Sequence, residues 1–274
     1  METEAVLRLL RDVADEVINP RFRSLAAGDI DEKGPGDLVT TADREAERLI
    51  TDALLAAYPG AVVLGEEAYA GRPELLAEFW AADHAFTVDP VDGTKNFVHG
   101  SPDHAVMVGE VRDGQAVRGW IWQPQHHTAY VAELGGGAWR DGERLLRPPA
   151  PTRPQWRGVT SRRALVGRAL AGDLRPLELT WVSCGIDYPQ LAQGAADYVV
   201  YGRANPWDHV PGGLLLTEAG GFLGTATGTA TGTATGTATG TAYRPRDQEP
   251  DGSVPRRVVA AADRATYDAV VALL

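Results

Sequence analysis

The chain has 274 residues, 37 acidic against 26 basic side chains, and a formal charge of −11. That length suits one large domain or two modest ones with a buried core, and the acidic balance argues against nucleic acid or an anionic membrane as partner. No apolar run nears the ~20 residues of a membrane helix, the acidic start Met1-Glu2-Thr3-Glu4 is unlike a signal peptide, and Cys184, the single cysteine, excludes an intramolecular disulfide or a thiolate zinc cage. A cytoplasmic protein is expected.

Residues 2–19 read as an amphipathic helix, with Val6, Leu10, Val13 and Val17 at spacings of three and four and Pro20 at its end. Residues 28–37 are rich in Gly, Asp and Pro and read as a loop. A second helix is expected from near Thr41, with Ala46, Leu49, Ile50, Ala53, Leu54 and Ala57 buried and Pro59-Gly60 as its stop. A short strand over 61–64 runs into Gly65-Glu66-Glu67, a helix follows near 73–80, and a strand over 84–88 ends in Asp89-Pro90. Residues 104–112, 116–123 and 128–133 read as a β-meander that continues to a turn at Asp141-Gly142.

The proline-rich stretch 148–154 looks like a seam. We therefore expect an N-terminal α+β half over 1–150 and a C-terminal α/β half over 151–274, working as one catalytic unit. In the second half, strands are expected near 157–160, 179–184, 197–201 and 256–261. Helices are expected near 162–171, 187–195, 208–219 and 264–274. Layered α and β structure follows from this order. Residues 225–241 repeat Thr-Ala-Thr-Gly with a period of four and read as a low-complexity surface-loop insertion.

Three segments place carboxylates where a strand ends or a helix begins. They are 37–43 with Asp37 and Asp43, Glu66-Glu67 together with 89–97, and Asp208 after Trp207. In Asp89-Pro90-Val91-Asp92, proline stiffens the turn so that two carboxylates can converge. Carboxylates that close stay ionised only with a cation between them. With no His or Cys in the three segments, the oxygen donors favour a hard cation such as Mg²⁺. Gly93-Thr94-Lys95-Asn96-Phe97 could then open a helix whose N-terminus favours a phosphate. Taken singly, Glu66-Glu67 also reads as solvated surface, Asp43 as a first-turn acid and Asp208 as an N-cap. Lys33 and Lys95 are the only two lysines, and both stand beside these acidic motifs.

In order and spacing, these motifs resemble those of the inositol monophosphatase family over nearly the whole chain outside the repeat. The resemblance implies an α+β fold, a layered αβαβα sandwich of the sugar-phosphatase type, usually a homodimer. It implies Mg²⁺, two to three ions. Glu66, Asp89 and the Val91 carbonyl would hold the first, and Asp89, Asp92 and Asp208 the second. Glu66, Asp43 and Thr94 would be catalytic, with Thr94 bonded toward Asp43 to orient the attacking water. Gly93 and Thr94 would bind phosphate, and Asp92, Lys95, Gly185, Tyr201 and Arg203 the substrate. The implied reaction is in-line displacement at phosphorus without a covalent enzyme intermediate.

Two departures concern the substrate. Tyr201 stands where inositol-type members carry a glutamate, with Arg203 and Asn205 nearby, and Lys95 replaces a threonine. Inositol 1-phosphate is the default substrate. Histidinol phosphate, fructose 1,6-bisphosphate and 3′-phosphoadenosine 5′-phosphate are the alternatives, and a non-catalytic regulator that binds metal or sugar phosphate is a second class. Neither nucleic acid nor membrane is expected as a partner. His126-His127 reads as a surface turn, and Cys184 as an inert thiol.

Overall fold

Val6, Leu10, Val13 and Val17 do form one buried stripe. They lie on α1 (Thr3–Val13) and the π-helical turn Ala14–Ile18 that prolongs it, before Pro20 brings in a tighter turn. The computed structural model describes residues 1–34, 37–227, 239–249 and 251–274.

Residues 30–34 depart from the expected loop. They form β1 (Ile30–Gly34), paired antiparallel with β2 (Asp37–Thr40). Exposed and half-buried residues fill β1, so it carries no apolar alternation to announce it, and its partner strand creates it. Then come α2 (Thr41–Ala57), β3 (Val62–Gly65), α3 (Glu66–Gly71), α4 (Leu75–Ala81), β4 (His84–Asp92) and α5 (Thr94–Val98). The meander is β5 (Ala105–Arg112), β6 (Gln115–Gln123), β7 (Thr128–Glu133), β8 (Gly137–Arg140) and β9 (Glu143–Leu145). Strands β3 to β9 form one seven-stranded sheet in chain order, with β3 and β4 parallel and the other pairs antiparallel.

The rest of the chain supplies β10 (Gly158–Thr160), β11 (Glu178–Leu179), α6 (Cys184–Ala192), β12 (Tyr198–Tyr201), α7 (Pro206–Glu218), β13 (Phe222–Thr227), β14 (Thr239–Ala242), β15 (Val258–Ala261) and α8 (Arg264–Val271). The six-stranded sheet runs β11-β10-β12-β15-β13-β14. The helix expected over 162–171 does not form. A single 3₁₀ turn, Arg163–Leu165, is followed by loop in which Gly167 (φ 80) donates its N–H to the Leu177 carbonyl at 2.8 Å. Leu165, Leu170 and Ala171 still pack inward, so an irregular loop satisfies the same apolar pattern. The strand expected over 179–184 shortens to β11, and α6 begins at Cys184, ahead of the expected 187. The ends of the 225–241 repeat are sheet, not loop, because 225–227 close β13 and 239–241 open β14. Residues 228–238 lie outside the described residues.

Apolar clusters define the layers. α1 and α2 pack on one face of the larger sheet through Leu10, Ile50, Phe86 and Trp120. Its other face meets α6 and α7, which also cover the smaller sheet, through Met107, Ile121, Tyr188, Leu215 and Val199. α8 covers the far side with Tyr267 and Val270. The result is the α+β sandwich with five layers, αβαβα.

Candidate active site

The site forms where β4 ends. Opposite β5, Asp89 pairs with Met107 and Asp92 with Ala105, and the register shifts between them at Pro90-Val91. This bulge puts two carboxylates on the same rim. Gly93 then turns the chain into α5 with φ 90 and ψ 38. A Cβ there would lie 3.0 Å from Ser183 Cβ and 3.1 Å from the Asp103 carbonyl, so both backbone and space require glycine.

Glu66, Asp89, Asp92 and Asp208 line one cavity of about 170 Å³ with Gly93 and Thr94. Asp89 is 2% exposed, and its Oδ1 has no hydrogen-bond partner among the described residues. Burial, followed by repulsion from Glu66, Asp92, Asp208 and Asp43, pushes its carboxyl well above the usual range. Asp208 is raised in the same way, by burial, then Asp92 and Glu66. An orphaned buried carboxylate oxygen in a cavity lined by four carboxylates fits a hard divalent cation, and the Cys184 sulfur lies within 4.8 Å of ligand oxygens of Asp92 and Asp208.

The other groups are held firmly. Asp43, in the first turn of α2, accepts from the Thr40 N–H at 2.9 Å and from the Thr40 hydroxyl. Its Oδ1 accepts from the Thr94 hydroxyl at 3.0 Å, and that hydroxyl also lies 3.1 Å from the Val91 carbonyl. Thr94 has one proton and two acceptors for it, so a lone pair on Oγ1 is left to accept a hydrogen bond from water. Burial raises the Asp43 pKa to about 6 against the lowering by Thr40. Asp92 takes the N-terminus of α6: the Ser183 hydroxyl, the Cys184 N–H at 3.1 Å and the Gly185 N–H at 2.6 Å all donate to it. Burial still carries its pKa up to about 6. Asp208 accepts from Asn205 Nδ2 at 3.0 Å.

Two further side chains, Glu47 and Lys33, support the glutamates of α3. Glu47 accepts from the N–H groups of Glu67 and Ala68 at 2.7 and 2.8 Å, and so caps α3, the helix that carries Glu66. Lys33 comes over from β1 and places Nζ 2.7 Å from Glu66 and 2.8 Å from Glu67. Burial alone would lower its pKa, but the two glutamates outweigh it and the net shift is upward. Lysine scarcity pointed to Lys33, whereas Glu47 looked like any helix-surface acid.

A second cavity, about 510 Å³, adjoins the first, sharing Asp92, Lys95, Val182 and Asp208 with it. Lys95, Tyr201 and Arg203, named above for the substrate, line it. Gly185 does not. It is buried under Ala105, which a Cβ would approach to 2.4 Å, and its N–H serves Asp92. Tyr201 is buried and stacks on Tyr188 at 5.6 Å, so it offers a wall. Val182, a β-branched residue at φ 62, lines both cavities, a strained backbone at their junction. His209 is bonded at both ring nitrogens, to the Arg203 carbonyl and the Tyr188 hydroxyl, each at 2.7 Å. Burial pushes the Cys184 thiol up, consistent with an inert group.

A profile of the inositol monophosphatase family matches residues 2–273. The chain belongs to the inositol monophosphatase family. It is therefore a phosphoric monoester hydrolase, of a family whose enzymes depend on a metal. An inositol-1-monophosphatase of Mesorhizobium japonicum is 36% identical over 201 residues, 70% of this chain and 73% of that protein. A protein of Thermotoga maritima named fructose-1,6-bisphosphatase/inositol-1-monophosphatase is 30% identical over 190 residues, 68% and 71% of the two chains. Among solved structures, a Thermotoga maritima IMPase superposes with a TM-score of 0.76 at 24% identity, covering 98% of this chain and 95% of its own, and supports the fold. No helix among the described residues is long and apolar enough to cross a membrane.

Proposed function

We propose that this chain hydrolyses a small polyol or sugar monophosphate, by default inositol 1-phosphate, with Mg²⁺, as a cytoplasmic homodimer. The observation that carries this is the 170 Å³ cavity, in which four carboxylates meet the Thr94–Asp43 hydrogen bond. Glu66, Asp89 and the Val91 carbonyl would hold one ion, and Asp89, Asp92 and Asp208 a second. When bound, Mg²⁺ activates the attacking water and offsets charge on the transferring phosphoryl group.

The protein's own groups do the rest. Asp43 orients Thr94, and the Thr94 hydroxyl accepts from the incoming water and turns a lone pair of that water toward phosphorus. The N–H groups of Gly93 and Thr94 would bind the phosphate, and the left-handed conformation of Gly93 would let the backbone approach it. Asp92 is too tightly engaged by α6 to swing away, so its remaining lone pairs keep a constant direction.

The test is phosphate release with Mg²⁺ from inositol 1-phosphate, histidinol phosphate, fructose 1,6-bisphosphate and 3′-phosphoadenosine 5′-phosphate. Turnover of inositol 1-phosphate at a kcat/KM equal to or above the others supports the default. A tenfold preference for another ester replaces it. No Mg²⁺-dependent release from any of them overturns the catalytic reading.

A further inference from the structure

The 510 Å³ cavity carries three positive side chains, Lys95, Arg163 and Arg203. All three residues are exposed, and no hydrogen bond or ion pair links their charged heads to any described residue. The cavity's three acids, Asp92, Asp187 and Asp208, make no ion pair with them: Asp92 is engaged by α6, Asp187 accepts from the Trp181 N–H at 2.8 Å, and Asp208 accepts from Asn205 Nδ2 at 3.0 Å on the side of the carboxylate cavity.

The three come from separate elements. Lys95 lies on α5, Arg163 opens the 3₁₀ turn where a helix was expected, and Arg203 follows β12. Arg203 is also anchored, because the buried His209 holds its carbonyl. Guanidinium and ammonium groups donate and cannot accept. Where inositol-type members carry a glutamate, Tyr201 supplies a buried ring stacked on Tyr188. Three unpaired cations beside a phosphate site suit an anion, which takes charge-assisted hydrogen bonds from each.

We propose that Arg163 and Arg203, with Lys95, form a subsite for a second anionic group, so that the cavity favours, over the default inositol 1-phosphate, a phosphate monoester bearing a further phosphate or carboxylate. This rests on the phosphatase reading of the adjoining carboxylate cavity.

Two matched pairs test it, each differing by one anionic group: fructose 1,6-bisphosphate against fructose 1-phosphate, and 2-phosphoglycerate against glycerol 2-phosphate. The readout is the ratio of kcat/KM within each pair. A ratio of about ten or more is expected in at least one pair. The fructose pair alone identifies phosphate as the second group, and the glycerate pair alone identifies carboxylate. Arg163→Ala, at an exposed turn, and Arg203→Ala should each lower the ratio severalfold, and the double variant should bring it near one. Ratios near one in the wild type, or a ratio unmoved by both substitutions, overturn the subsite. If no ester is hydrolysed with Mg²⁺, the phosphatase reading falls. Calorimetric binding of the same pairs then decides the subsite by the same ratio.

Discussion

Replacing Asp89 by Asn should stabilise the metal-free protein and abolish its response to Mg²⁺, two effects of opposite sign. Asp89 is 2% exposed, has an unbonded Oδ1 and is repelled by Glu66, Asp92, Asp208 and Asp43. A carboxyl whose pKa is raised on folding contributes nothing unfavourable below its unfolded value, near pH 4. As pH rises above that value, the unfolded state ionises and the folded state cannot follow, so stability is lost. Asp89→Asn removes the titration and keeps the shape. Its melting temperature without metal should exceed that of the wild type at pH 7 and nearly match it at pH 4. The wild type should gain about 2.7 kcal/mol from Mg²⁺ at a hundred times its Kd, and the variant almost none. Scanning fluorimetry with and without Mg²⁺ at both pH values, run beside a phosphate-release assay, measures all of this. A variant that melts lower than wild type at pH 7, or differs equally at pH 4, refutes the buried-charge reasoning. A variant that still binds Mg²⁺ and turns over refutes the metal assignment.

Thr94→Ala should lower kcat by about 10²–10⁴ while leaving Mg²⁺ protection in place, and Thr94→Ser should restore most of the rate. Glu47→Ala leaves the Glu67 and Ala68 N–H groups at the start of α3 without their acceptor. We expect a loss of about 1–2 kcal/mol in urea unfolding, with weaker Mg²⁺ binding by calorimetry because Glu66 shares that helix. Asp43 and Asp92 are raised to about 6, and Glu47 and Glu67 to about 7, each chiefly by burial. The metal-free melting temperature should therefore fall from pH 4 to pH 7, and Mg²⁺ should flatten that fall; a metal-free profile that rises with pH would contradict the sign. Gly185→Ala should weaken Mg²⁺ binding and cost about 1–3 kcal/mol, because the added methyl meets Ala105 and pulls the Gly185 N–H from Asp92.

The carboxylate motifs were legible because their constraints are local. Asp89-Pro90-Val91-Asp92-Gly93 encodes a stiff turn, two acids and a left-handed glycine within a few residues, and the chain forms that arrangement at the end of β4. The α1, α2 and meander assignments succeeded for the same reason, since apolar spacing sets helix and strand faces directly. The helix expected over 162–171 failed because its leucines could be buried from a loop just as well. β1 was missed because only pairing with β2 makes it a strand.

What the amino-acid order determined alone was the inventory: the acids, the Thr94 hydroxyl and the turn that presents them. Tertiary structure decided what holds each of them. Glu47 reaches α3 from α2, Ser183 and Gly185 reach Asp92 from across the chain, and Lys33 reaches Glu66 from β1. It also decided that Lys95, Arg163 and Arg203 share one cavity. The physical reason is distance along the chain. Local stereochemistry acts over a few residues, whereas a buried carboxylate draws its donors from wherever the packed layers bring them.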